Sequence, residues 1–184
     1  MIPREEKLSQ GSVDEVKRIK IRNTEILIKK GSFDIEIVYD GKKLCIFSGP
    51  YVESSCSIIL YSRDIPNVKS LVSGADKKIF LLDPFKISVF ESNKSFSYIV
   101  ETDIRILYFN PSVDTREVLS YVAKNYQKID VLVILLDRDY ITPEFSSEIL
   151  RGVRASITIP LYVYVDDFYV FRDLINYYTQ VIRP

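Results

Sequence analysis

Three apolar runs in the second half of the chain, at 104–109, 131–136 and 157–165, each give way to polar residues at their carboxyl ends. Two of them break directly into aspartates, Asp137-Arg138-Asp139 and Asp166-Asp167. Runs this short and continuous read as strands buried on both faces, the pattern of a parallel sheet rather than of an alternating antiparallel one. The segments between them carry helix signals. Asp114 stands as an N-cap with Glu117 three residues on, and Val113 and Val118 are spaced as a hydrophobic staple. Thr142-Pro143 sets a cap before a proline at the first helical position, Gly152 is the expected end of that helix, and a last helix is expected over about 168–181. The order β-α-β-α-β-α predicts a small three-stranded parallel unit over 101–184 with right-handed crossovers. In such sheets, sites form in the crevice outside the carboxyl ends of the strands.

Residues 1–100 read differently. Phe33, Ile35, Ile37 and Tyr39 alternate with polar neighbours, and Asp40-Gly41 then leads into 43–47, a hairpin whose turn suits positive φ angles. Short strands are expected within 18–30, turned at Asn23-Thr24, and at 56–61, 78–82, 85–90 and 96–100, with one helical turn near 68–72. The expected architecture is therefore mixed α+β and α/β: a β-rich domain of antiparallel hairpins over 1–100, followed by the parallel α/β domain over 101–184.

Composition narrows the chemistry more than the fold. The chain has no histidine, so Ser-His-Asp and Cys-His mechanisms are excluded within it. Its two cysteines, Cys45 and Cys56, supply at most half of a tetrahedral thiolate set, which argues against structural zinc and leaves Mg²⁺ on carboxylates as the possible metal. The two stand across the Ser48-Gly49-Pro50 turn, where either a disulfide or a reduced pair fits. Lys and Arg number 25, as do Asp and Glu, and the charge is spread along the chain. That is not the profile of a protein whose main task is neutralising phosphates. The apolar runs are too short to span a membrane and the first ten residues too polar for a secretion signal, which points to the cytoplasm. Few Gln, Cys, Met and His beside abundant Ile, Lys, Glu and Tyr suggest a heat-adapted source.

The sharpest local motif is Asp137-Arg138-Asp139. Two carboxylates leaving a strand end, with Asp166 or Asp114 as a third ligand, are suited to hold Mg²⁺ near a phosphate. This motif resembles the Asp-x-Asp element of Toprim domains, which implies nucleotidyl transfer or phosphodiester hydrolysis; Phe109-Asn110-Pro111 stand where that family carries a glutamate followed by glycine. The stretch 131–150, with Asp139-Tyr140 and Glu148, is loosely similar to the middle of Toll/interleukin-receptor domains. The last helix carries more apolar surface than one core stripe needs, and Tyr169, Val170 and Tyr177 are the candidate partner-binding residues. Lys17, Arg18, Lys20, Arg22, Lys29 and Lys30, interleaved with isoleucines, form a candidate nucleic-acid face or a solvated edge. The leading expectation is a non-enzymatic interaction or regulatory module that binds a protein partner or self-associates, with no resident cofactor. The alternatives are a Mg²⁺-dependent phosphoryl-transfer or phosphodiesterase-type enzyme, and a nucleic-acid-binding accessory protein.

Overall fold

The computed structural model describes residues 16–50, 55–68, 78–137 and 142–184. Five strands, β1 (Val16–Ile21), β2 (Thr24–Lys29), β3 (Ile35–Tyr39), β4 (Lys42–Phe47) and β5 (Ile58–Tyr61), form one sheet in that order. Its first four strands are an antiparallel meander, and the Asp40-Gly41 turn takes φ of 51° and 73° as the hairpin reading requires. The fifth strand departs from the expectation: β5 runs parallel to β4, pairing Leu44 with Ile58 and Phe47 with Tyr61.

The second sheet holds β6 (Ile79–Leu82), β7 (Phe85–Ser92), β8 (Ser95–Glu101), β9 (Arg105–Phe109), β10 (Val131–Leu135), β11 (Ile157–Leu161) and β12 (Gln180–Val181) in the order β12-β11-β10-β9-β8-β7-β6. Strands β9 to β12 are mutually parallel, while β6, β7, β8 and β9 pair antiparallel. The change of pattern near Glu101 is thus a change of strand direction inside one continuous sheet, with β8 bonded directly to β9. Helices α1 (Thr115–Asn125), α2 (Pro143–Val153) and α3 (Val165–Ile175) are the crossovers.

Three boundaries differ from the sequence reading, each for a local reason. Pro160 and Leu161 end the third run as strand, so 162–164 is a link and α3 begins at Val165. The residues after α3 return as β12, a fourth parallel strand too short to leave a periodic signal. Helix α2 ends not at Gly152 but at Arg154, which adopts a left-handed φ of 53°. Gly152 serves packing instead, because a Cβ there would lie 2.6 Å from the Leu119 side chain of α1.

Alternation explains the layering. Val131, Val133 and Leu135 face a core shared with Ile26, Ile37, Leu44 and Leu60 of the first sheet, whereas Leu132 and Ile134 face Val118, Ile149 and Phe171 of the helices. The order is sheet on sheet on helices. Each fully buried Leu, Ile or Val in these layers contributes roughly 1.5–3 kcal/mol relative to exposure. At one end of the sandwich, Asp103 ties the two sheets: its carboxylate accepts from Asn23 N–H at 2.9 Å and from Thr24 Oγ1 at 2.6 Å. Desolvation pulls its pKa up, but the bonds from Thr24 and Asn23 outweigh that and hold it below the ordinary aspartate value. The charged form is the one this fold prefers.

On the outer face of the first sheet, Cys45 and Cys56 are joined by a disulfide with a Cα–Cα distance of 6.0 Å. Of the two cysteine readings, the bridged one is realised. No helix among the described residues is long and apolar enough to cross a membrane.

Candidate active site between the two sheets

Both sheets contain parallel strands, and the carboxyl ends of β4 and β5 in one meet those of β9 and β10 in the other at a pocket of about 440 Å³. Its wall takes Ser48 from the end of β4, Ser62 and Arg63 from the end of β5, Asn110 and Ser112 from the end of β9, Leu135 and Asp137 from the end of β10, and Ser95 from the start of β8. The pocket therefore lies at strand ends, and half of its lining residues come from the part of the chain where parallel pairing was not expected.

The pocket floor is a hydrogen-bonded seam. Ser62 N–H donates to the Phe47 carbonyl of the first sheet at 2.9 Å, and Phe96 N–H of the second donates to the Ser62 carbonyl at 2.9 Å. The buried Asn110 Nδ2 also donates to that carbonyl at 2.8 Å, while its Oδ1 accepts from Ser112 N–H at 3.1 Å. One amide thus fixes the loops after β5 and β9 against each other. Beneath them Tyr98 and Tyr108 are fully buried; Tyr98 donates to the Tyr61 carbonyl, and Tyr108 donates to the Phe33 carbonyl at 2.7 Å. Burial pushes both phenols well above the usual tyrosine range, so they stay neutral donors.

The groups facing the opening are hydroxyls, one guanidinium and one carboxylate. Arg63 is exposed and is oriented by its Nε, which donates to the Ser48 carbonyl at 2.9 Å. Ser48 is itself held by Asp34, whose Oδ1 accepts from the Ser48 N–H at 2.8 Å and hydroxyl at 2.9 Å. A guanidinium lining a cleft with hydroxyls is suited to a carboxylate or phosphate. Asp137, half-buried, is the carboxylate among the described lining residues.

The proposed magnesium ligands fall at different places in the fold, as far as they are described. Asp137 lies in the pocket, Asp166 is exposed on the first turn of α3, Asp114 caps α1 by accepting from Arg116 N–H at 3.0 Å, and Asp139 lies outside the described residues, as do Arg138 and Tyr140. Among the described residues the group of three or more metal-type ligand atoms lying together is Glu36, Cys45 and Cys56, away from this pocket. Tyr169, Val170 and Tyr177 are exposed on α3 or just beyond it, but the Tyr169 hydroxyl accepts from Arg183 Nη1 at 3.1 Å, which ties it to the chain's own last residues. In the basic edge, Arg18 faces Glu25 at 3.7 Å, and Arg22 and Lys17 donate to the Asp103 and Arg183 carbonyls. Ser48, Ser62, Arg63 and Asn110 were not singled out from the sequence. The signal that would have found them is the one used downstream, an apolar run breaking into polar residues, present at Phe47-Ser48 and Tyr61-Ser62-Arg63.

No protein-family model matches the chain, and no curated protein matches it in sequence. Two solved structures share its fold. One, from Thermotoga maritima, is assigned as a zinc-dependent hydrolase of the metallo-β-lactamase superfamily; it is 18% identical, with a TM-score of 0.63 over 87% of this chain and 98% of its own. The other is a metallo hydrolase from the hyperthermophilic archaeon Ignicoccus hospitalis, 10% identical, with a TM-score of 0.62 over 88% of this chain and 94% of its own. At these identities what is shared is the fold. The leading expectation, a non-enzymatic interaction module, is corrected by these neighbours, both of which are described as hydrolases.

Proposed function

We propose that the chain is a hydrolase that cleaves small esters bearing a negative charge in the pocket between its two sheets. The observation that carries this reading is the meeting of four strand ends from two sheets on one polar pocket, in a fold shared with hydrolases. Arg63 takes the substrate's anionic group, and the hydroxyls of Ser95 and Ser112, which line the same pocket, donate to oxygen on the reacting carbon. Asp137 accepts a proton from the attacking water; the water oxygen bonds to the acyl carbon, the ester C–O bond breaks, and the proton leaves with the alcohol.

A zinc centre does not fit this pocket. Zinc is held by imidazole nitrogen, thiolate and carboxylate; the chain has no histidine, its cysteines are bonded to each other, and Asp137 has no second carboxylate beside it among the described lining residues. The proposed reaction therefore uses the chain's own groups. Esters are the expected substrates rather than amides, because an alkoxide leaves more readily than an amide nitrogen and asks less of a single general base.

The test is a comparison of chromogenic esters with and without a carboxylate or phosphate on the acyl side. Arg63→Ala is expected to raise KM for the charged esters about tenfold, as the loss of one exposed charge-assisted contact implies, and to leave the neutral ones unchanged. An equal effect on both sets would remove Arg63 as the anion anchor.

A further inference from the structure

The outer face of the first sheet carries a second constellation, independent of the pocket. Glu36 on β3 stands directly opposite Cys45 on β4, and Cys56 lies just before β5, held against β4 by the bond from Ser57 N–H to the Lys43 carbonyl at 2.8 Å. One ligand atom from each of Glu36, Cys45 and Cys56 lies within 4.8 Å of the others. Lys43 sits beside them, its Nζ 3.3 Å from the Glu36 carboxylate.

We propose that reducing the Cys45–Cys56 disulfide turns this place into a site for a thiophilic divalent cation such as Zn²⁺, held by both sulfurs and the Glu36 carboxylate. A dithiol reductant supplies two electrons and two protons to the S–S bond and becomes a disulfide, leaving Cys45 and Cys56 as thiols. The entering cation displaces both thiol protons. Zinc at about 2.3 Å from each sulfur and about 2.0–2.2 Å from the carboxylate needs its ligands less than about 4 Å apart, close to the 4.8 Å within which the three ligand atoms already lie. Three protein ligands leave the fourth position to water, as in open zinc sites. Two thiolates, one carboxylate, a divalent cation and the Lys43 ammonium sum to zero charge, so the half-buried cluster carries no uncompensated charge. The oxidised form has no thiolate to offer, so metal uptake follows the redox state.

Co²⁺ is the probe, because thiolate ligation gives it a sulfur-to-metal charge-transfer band. The whole chain, reduced and freed of reductant under argon, is expected to bind one Co²⁺ with that band, to release it to Zn²⁺, and to bind none when oxidised. Glu36→Gln, which still forms the disulfide, is expected to bind at least about tenfold more weakly when reduced. A reduced chain without the thiolate band, equal uptake by the oxidised chain, or unchanged affinity in Glu36→Gln would each overturn the proposal. If reduction melts the sheet, Co²⁺ must restore its circular dichroism, since a ligand of the folded state refolds it by mass action; failure to do so is equally contrary.

Discussion

Asp137→Asn is expected to lower kcat on charged esters by about 10²-fold or more, the low end of what a positioned general base contributes, with little change in KM. The substitution keeps the side chain's shape and its place one residue beyond Leu136, whose N–H donates to the Leu161 carbonyl at 2.8 Å. What it removes is the ability to take the proton of the attacking water. Arg63→Ala acts on the other half of the site, on binding rather than on the proton, so the two substitutions should separate kcat from KM. Stopped assays on both variants, with circular dichroism to confirm folding, make the comparison. A wild-type kcat in Asp137→Asn would mean that another group is the base.

The second large effect is on stability. Between β4 and β5 the chain must return to the starting end of its neighbour so that the two run parallel, and the disulfide closes that return across a sequence separation of 11. Closing a loop of that size in the unfolded ensemble stabilises the folded chain by about 3 kcal/mol in the chain-entropy account. For a protein of this length, Cys45→Ala with Cys56→Ala should lower Tm by about 6–12 °C. Calorimetry in metal-free, non-reducing buffer reads the loss, and reduced wild type should fall with the double variant. Equal melting of oxidised wild type and the double variant would show that β5 is held by its backbone ladder and by packing of Phe47 and Tyr61 alone.

The parallel half was legible because strands buried on both faces write continuous apolar runs, as 131–136 does, and because Thr142-Pro143 and Asp114 mark helix starts through bonds made within a few residues. A hairpin was legible where a turn demands positive φ, at Asp40-Gly41. Stacking of the two sheets was not. A strand with one face toward Val133 and another with one face toward a helix look alike in sequence, and nothing local says that Leu44 and Leu135 share a core. The direction of β5 was equally hidden, since the pairing of Cys45 with Ile59 is set by the return of the chain and not by the residues of the strand. The site inherits that blindness. Asp137 could be named from its strand end, but Ser62 and Arg63 join it only through the seam in which the Ser62 peptide bonds to Phe47 on one side and Phe96 on the other.

If the proposed hydrolysis runs on the chain's own side chains, it needs no bound zinc. The most direct measurement is the initial rate of ester hydrolysis before and after exhaustive dialysis against a chelator, with the metal content of the same samples determined. The rate should be unchanged by chelation, and the oxidised chain should carry no stoichiometric zinc while hydrolysing the charged esters. A rate that collapses on chelation and returns with Zn²⁺ would contradict it.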